Sequence, residues 1–377
     1  MSFMIDANLP IWIDLPSSPS IDYPIEQVRG WIGIPDTGER LEIFHDDFST
    51  AAAQNVRPDL SGRAHIGFSF FLDLPTMVGA GVVLEETLLL KLRQGAVTIG
   101  ELNLPVSRPV AAYCREILKN REQKATFIAR SIKGPLNKLP GCHAPSALPE
   151  NWPISPCLGD KADVASAHDY GAVIWKFLES LGSEAMVLDA GAGLRRMPAR
   201  NVINLDIYDY PSTDILAIGQ DLPFRDNTFD GVLSLAVLEH VNDPFLCARE
   251  LIRVVKPGGK ILAMIPFLQA EHGYPSHYAN FTRFGMQELF KSTVEVEEHF
   301  LERSNLPIFA LNQILSIYTF GLSEPTRSEF LQMKIADLLS RSPDHYIDNH
   351  DPIVEHLDSE TKWVIAAGTT AIFRKLR

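Results

Sequence analysis

Three carboxylates end apolar runs in this chain, at spacings that suit one polar ligand. Met186-Val187-Leu188-Asp189-Ala190-Gly191-Ala192-Gly193 runs from apolar residues into an acid and then into two glycines one residue apart. The apolar run reads as a strand buried on both faces. Asp189 then stands at the strand's carboxyl end, where open α/β sheets bind ligands. Gly191 and Gly193 let the backbone turn tightly and approach a ligand with no Cβ between them. Asn201-Val202-Ile203-Asn204-Leu205-Asp206 repeats the pattern, with Asp206 falling 13 residues after Gly193. It reaches the next strand's end if a short helix intervenes, and a carboxylate there can accept both hydroxyls of a ribose. Asp221, in Gln220-Asp221-Leu222-Pro223-Phe224, can accept from an exocyclic amine such as that of adenine, with neighbouring backbone reaching a ring nitrogen. Each acid alone could simply cap a helix or a turn. Three at matching strand ends favour a bound nucleoside.

A second set of residues suits proton transfer. Leu238-Glu239-His240-Val241 follows the fourth apolar run, Phe229-Asp230-Gly231-Val232-Leu233-Ser234-Leu235. Glu271-His272-Gly273-Tyr274-Pro275-Ser276-His277-Tyr278 follows the fifth. That loop would cover the mouth of a doubly wound sheet. His240, His272 and His277 are the candidate bases, although a histidine taken alone more often makes structural hydrogen bonds. Arg195 or Arg196 could hold a ligand's carboxylate or sit in a solvated loop. Cys142-His143 and Cys157 lack a second ligand pair, so a structural zinc is not expected.

The elements that must position these residues follow from the rest of the chain. Its 377 residues suggest two or three domains at about 150 residues each. A hydrophobic share of 46% can build sizeable cores. A net charge of −13 without basic runs argues against nucleic acid or an anionic membrane surface as a partner. Four scattered cysteines without a CxxC pair fit reduced thiols. With no leader and no apolar run of about 18 residues, the expectation is a cytoplasmic protein without a membrane span.

Residues 1–24 carry four prolines and read as an extended arm. From 25 to 108, short runs bounded by turn residues predict antiparallel strands at 27–34, 41–45, 65–74, 87–92 and 96–106, hence a β-sandwich or barrel. Residues 109–160 read as a helix (111–126) and a Pro-rich linker. An amphipathic helix is expected over 162–181, with Val164, Ala167, Val173, Ile174, Phe177 and Leu178 facing a sheet and Gly182 ending it. Strands at 187–189, 201–206, 229–235 and 261–266 and a helix at 244–255 build the sheet. A helix at 284–290 and strands at 294–302 and 363–373 complete it. Between those two strands, 306–359 reads as a helical insertion, with helices near 311–318 and 330–339. It could form a lid or the face of a homodimer.

Val187-Leu188-Asp189-Ala190-Gly191-Ala192-Gly193 resembles the first motif of class I S-adenosylmethionine-dependent methyltransferases, of the type 11-like kind. Asp206 matches their ribose-binding acid, and Asp221-Leu222-Pro223-Phe224 their adenine-contacting stretch. Leu238-Glu239-His240-Val241 and Arg253-Val254-Val255-Lys256-Pro257-Gly258-Gly259 match later motifs. Five motifs in order over 162–300 are specific, where one Gly-x-Gly would be weak. The resemblance implies a seven-stranded Rossmann-like sheet in an α/β domain spanning 161–377. S-adenosylmethionine would then be held by Asp189, Ala190, Gly191, Gly193, Asp206, Ile207, Asp221, Leu222 and Leu235. The cofactor's ammonium and sulfonium suit Asp189. Pyrophosphate would not, and Arg196 stands where a dinucleotide fingerprint has its third glycine, so a nicotinamide oxidoreductase is disfavoured.

The acceptor is narrowed by the same resemblance. Ser234-Leu235-Ala236-Val237 replaces the Asn/Asp-Pro-Pro-Tyr/Phe stretch of nucleic-acid amino-methylating relatives. Some hydroxyl-methylating relatives bind a divalent metal through Glu-x-x-Glu-His. Here Ala236 takes the first acid's position, so no metal is expected, although Glu239, His240, His272 and His277 could still supply ligands. Pro266-Phe267, His272, Pro275-Ser276-His277-Tyr278 and Phe281-Thr282 are similar to stretches in methyltransferases of bacterial sugar and polysaccharide pathways. The stretch from Arg29-Gly30-Trp31 through Arg57-Pro58-Asp59 to Gly67-Phe68 resembles β-sandwich modules attached to some bacterial glycosyltransferases and methyltransferases. A spacer or dimerisation role is its plain reading, and glycan contact through Trp12 or Trp31 the sharper one. The expectation is methyl transfer to a hydroxyl of a sugar-containing or other small polar acceptor. The alternative is a catalytically silent scaffold that keeps the fold.

Overall fold

The computed structural model describes residues 3–6, 11–16, 20–32, 41–45, 48–51, 53–55, 66–138, 143–145, 169–272, 276–291 and 294–365. The chain divides into two compact units, one formed by 1–237 with 245–264, the other by 238–244 with 265–377.

The first unit opens with nine strands, β1 (Phe3–Asp6), β2 (Ile11–Leu15), β3 (Ile25–Ile32), β4 (Leu41–His45), β5 (Phe48–Ala51), β6 (Ala53–Asn55), β7 (Ile66–Asp73), β8 (Thr87–Gln94) and β9 (Val97–Pro105), with helix α1 (Leu74–Gly79) after β7. They form two sheets, ordered β1-β2-β3-β7-β6 and β5-β4-β8-β9, with antiparallel pairing throughout. Alternating residues of both bury into one cluster, Ile11, Ile13, Val28, Phe68 and Phe70 from one and Leu41, Ile43, Leu90 and Leu102 from the other. Period-2 patterning with one face inward produces this arrangement. The arm expected over 1–24 is instead partly sheet. Pro10 and Pro16 flank β2 rather than interrupt it, and Ile11 and Ile13 are fully buried.

Helix α2 (Val110–Ser131) is longer than expected and buries Val110, Cys114, Ile117 and Ile128. The linker then contributes a hairpin, β10 (Leu136–Lys138) and β11 (His143–Pro145). Helix α3 (Ala172–Leu181) starts ten residues later than its expected start at 162; Val164 and Ala167 lie outside the described residues, as do Cys142 and Cys157. Gly182 ends it with φ +93°. Strands β12 (Val187–Ala190), β13 (Val202–Asp206), β14 (Ile215–Leu216) and β15 (Phe229–Leu235), helix α4 (Pro244–Val254) and strand β16 (Val255–Met264) follow. The sheet order is β10-β11-β14-β13-β12-β15-β16, and β14 to β16 form a five-stranded parallel core. All residues of β12 and β13 are buried, as a sheet covered on both faces requires. Because β13 and β15 lie on opposite sides of β12, the strand order reverses there, which opens a crevice at the carboxyl ends. No helix joins β12 to β13, contrary to the short one expected.

The second unit contains α5 (Arg283–Leu289), α6 (Pro307–Gly321), α7 (Thr326–Gln332), α8 (Ile335–Leu339), α9 (Pro343–Asp348), α10 (Pro352–Glu355) and α11 (Ser359–Val364). The insertion is therefore helical, with its second expected helix broken at Met333 and Lys334. The expected strand at 294–302 is absent. Val294, Val296, Phe300 and Leu301 are exposed, and a strand needs a ladder partner to satisfy its backbone. Trp363 and Val364 lie in α11 rather than a strand, because Asp358 accepts from the Thr361 N–H (2.8 Å) and hydroxyl (2.8 Å) and starts a helix there. Residues 366–373 lie outside the described residues. Two strands of this sheet, β10 and β11, come from the stretch expected to be a linker. Among the described residues, no helix is long and apolar enough to cross a membrane.

Candidate functional site

In the first unit the glycine loop after β12 bends back onto β13. Gly191 adopts φ +83° and Gly193 φ +62°, a region that side chains with a Cβ avoid. A Cβ on Gly191 would lie 2.5 Å from Val237 Cγ2, whereas one on Gly193 would meet nothing within 4 Å. Space is therefore open beside Gly193. The Gly191 and Ala192 N–H groups donate to Leu205 O, at 2.8 and 2.9 Å. The Gly193 N–H donates to Asp206 Oδ2 at 2.7 Å. Asp206 Oδ1 accepts from Tyr208 N–H at 3.0 Å. Burial pushes the Asp206 carboxyl up to about 7, against the lowering pull of the Gly193 and Ile207 N–H groups.

Asp189 is fully buried. Its Oδ2 accepts from Tyr170 OH (2.7 Å), Arg195 Nε (3.1 Å) and Arg195 Nη2 (2.8 Å). Its Oδ1 has no hydrogen-bond partner. Burial, and then the Asp189 charge, hold Tyr170 protonated as a donor. The Arg195 guanidinium also stacks on the Tyr170 ring, 4.5 Å from its centroid. Arg195 is thus neither solvated nor aimed at a ligand carboxylate; it neutralises Asp189. Arg196 is bound to Asp169, lies 3.8 Å from Glu26 Oε1 and stacks 3.8 Å from the Tyr23 ring centroid. Both arginines are committed to the protein's own groups. Spacing alone gave no signal for Tyr170 as the third member of the Asp189 cluster.

Of the remaining expected cofactor residues, Ala190 closes β12, Ile207 follows β13 and Leu235 closes β15, whereas Asp221 and Leu222 lie between β14 and β15. Ala190 is buried, while Ile207 and Leu235, at the ends of β13 and β15, are half-buried. Asp221 is exposed. Leu222 is buried, and its N–H donates to Glu250 Oε2 at 2.9 Å. Glu250 is itself gripped by Arg253, at 2.6 and 2.7 Å.

In the second unit the three candidate bases come together. The ring centroids of His272 and His277 are 4.4 Å apart, and those of His240 lie 5.2 and 5.7 Å from them. A ring nitrogen beside a carbonyl must carry the proton, which assigns the tautomers. His240 Nδ1 lies 2.9 Å from Ser276 O, and His272 Nδ1 lies 2.8 Å from Ala270 O. In the neutral ring, each would therefore carry its lone pair on Nε2. His277 differs, since its Nδ1 accepts from His272 N–H (3.2 Å) and its Nε2 lies 3.0 Å from Asn280 Oδ1. Asn280 is oriented by donating to Gln269 O at 3.0 Å, so His277 donates to it. Burial lowers the His240 and His277 imidazoles, and neighbouring imidazoles add to the shift. Glu239 is fully buried with no partner for either oxygen, and burial pushes it up to about 7. His240 Nε2 is 3.9 Å from Glu239 Oε1.

Residues 173–263 match the family model described as "Methyltransferase domain". A demethylmenaquinone methyltransferase of Renibacterium salmoninarum is 32% identical over 95 residues, which cover 25% of this chain and 35% of that protein. An uncharacterized methyltransferase of Mycobacterium tuberculosis is 40% identical over 73 residues, covering 18% and 28%. The chain therefore spans well under two thirds of either relative. The YcgJ protein of Bacillus subtilis aligns at 17% identity over 41% of this chain and 86% of that one, with a TM-score of 0.30, too loose to carry an argument. The match marks residues 173–263 as a methyltransferase domain. Its cofactor is S-adenosylmethionine. The residues present fit that group: a buried carboxylate oxygen without a partner at Asp189, open space beside Gly193, and a second acid on the neighbouring strand end.

Proposed function

We propose that the chain methylates a hydroxyl of a sugar-containing or other small polar acceptor. Asp189 Oδ1 would take the cofactor's ammonium, Asp206 its ribose hydroxyls and Asp221 its adenine amine, with Ala190, Gly191, Gly193, Ile207, Leu222 and Leu235 lining the nucleoside. When bound, the cofactor supplies a methyl group on a positively charged sulfur. Methylating a hydroxyl releases one proton, and a positioned base speeds such a step. The observation that carries this reading is that Nδ1 of both His240 and His272 lies against a backbone carbonyl, which leaves Nε2 of the neutral ring as the proton acceptor. His240 is held neutral by burial, so it can accept a proton near pH 7. His277, with both nitrogens engaged, positions the His272 backbone instead of acting as base.

The glycan class of acceptor draws on the resemblance of the His/Tyr loop to sugar-pathway methyltransferases and on the amino-terminal pair of sheets, which we read as a sandwich. Trp12 and Trp31 are register partners across β2 and β3, and glycan contact through Trp12 or Trp31 is the sharper reading of that part. Cys114 and Cys247 are buried thiols, in keeping with a reducing cytoplasmic setting. The test is transfer of labelled methyl from S-adenosylmethionine across a panel of nucleotide sugars, glycosides and small phenols. Labelling of a hydroxyl product is expected. Cofactor binding with no transfer to any acceptor would favour the silent scaffold.

A further inference from the structure

We infer that Glu239, His240 and His272 bind one first-row divalent transition ion. Both Glu239 oxygens are buried without a hydrogen-bond partner. A buried carboxylate in that state is costly, and a cation is what would relieve it. One ligand atom from each of the three residues lies within 4.8 Å of the others. Bonds of about 2.0–2.2 Å to a metal draw ligand atoms closer than that, so a small side-chain contraction completes the site.

The histidines carry a second, independent mark. Each has its Nδ1 beside a backbone carbonyl, Ser276 O for His240 and Ala270 O for His272. That contact fixes the Nε2 lone pair and is the support that metal-ligating imidazoles commonly have. His277 is excluded as a ligand because Asn280 and the His272 N–H occupy its two nitrogens. Two imidazoles and one carboxylate suit zinc, iron, cobalt or nickel. Magnesium and calcium favour oxygen donors throughout. Three protein ligands also leave a coordination position open.

This reverses the expectation from the sequence, where Ala236 in place of an acid argued against a metal. The ligand count is made up from a different segment, by an imidazole on the loop after β16. Binding of the ion stands apart from methyl transfer. Only one consequence bears on the proposed reaction: with an ion bound, both Nε2 lone pairs would serve as ligands, so neither His240 nor His272 would then act as the base.

The experiment uses the full, tag-free chain stripped of metal and titrated with Co2+ and, against a chromophoric chelator, with Zn2+. One equivalent of each should bind, with visible Co2+ absorption typical of nitrogen and oxygen ligands and no thiolate band. Glu239→Gln, His240→Ala and His272→Ala should each weaken Zn2+ binding by more than ~100-fold. His345→Ala, an exposed histidine of α9, should leave it unchanged. Circular dichroism and the thermal midpoint of the metal-free Glu239→Gln variant should match those of the metal-free unaltered chain, so loss of binding in that variant is not loss of fold. Absence of a one-equivalent Co2+ spectrum in the unaltered chain, or its persistence in Glu239→Gln or His272→Ala, would overturn the inference.

Discussion

Asp189 carries three hydrogen bonds on one oxygen and none on the other. The loaded oxygen holds Arg195 in a site where that guanidinium is almost wholly buried. The bare oxygen is the one that the proposed function gives to the cofactor's ammonium. Asp189→Asn should therefore damage two properties at once. Removing one partner of a buried ion pair costs about 3–5 kcal/mol, and urea unfolding should record a loss of that size. Affinity for S-adenosylhomocysteine should fall in parallel by calorimetry. Asp206 makes a different prediction. Its folded value is raised to about 7 from 3.8, so its contribution to the free protein's stability is present at low pH and is lost as pH rises through 7. Ribose hydroxyls need the ionised form as acceptor. S-adenosylhomocysteine should then bind about tenfold more tightly at pH 8 than at pH 6, with the difference abolished in Asp206→Asn. A flat profile in the unaltered chain would show that Asp206 does not grip the ribose.

The glycine loop between β12 and β13 separates packing from binding. Gly191→Ala sets a Cβ 2.5 Å from Val237 at φ +83°, so it should lower stability by more than the about 1–2 kcal/mol that a left-handed conformation costs by itself. Gly193→Ala meets open space at φ +62°. It should cost only that conformational term in denaturation, yet weaken cofactor binding much more than its stability loss suggests. Equal effects of both on affinity would contradict the assignment of the open space to the nucleoside. At this scale most of the sheet was legible. Buried parallel strands are unbroken apolar runs, and the carboxylates at their ends mark the crevice. What the sequence hid was tertiary. Val294, Val296 and Phe300 alternate like a strand but find no partner to pair with. Residues 136–138 and 143–145 are too short and too Pro-flanked to read as the sheet's edge, yet they pair with β14 through β11. The pairing of Arg195 with Asp189 depends on a loop with no periodic pattern, and the isolation of Glu239 depends on burial that no local pattern encodes.

Within the first unit the amino-terminal sheets are fastened to the nucleoside half by specific groups. Ile25 N–H donates to Arg196 O at 3.2 Å, at the end of the glycine loop. Arg121 of α2 donates to Pro211 O at 2.8 Å and binds Asp73. Lys124 binds Asp214 at 2.9 Å with both side chains nearly buried, and Asp214 also accepts from Asn204 N–H at 2.8 Å. The two parts should therefore unfold together. Lys124→Ala leaves Asp214 uncompensated and should lower the single unfolding transition by about 3 kcal/mol, as read by denaturant titration. Two separate transitions in the unaltered first unit would contradict that coupling. The central claim is that acids on neighbouring strand ends hold a nucleoside bearing a sulfonium. Isothermal titration of the full chain with S-adenosylhomocysteine and S-adenosylmethionine tests it most directly. One site per chain is predicted for both ligands, with binding lost in Asp206→Ala and no binding of reduced nicotinamide cofactor. No heat at millimolar ligand, or equal binding by Asp206→Ala, would contradict it.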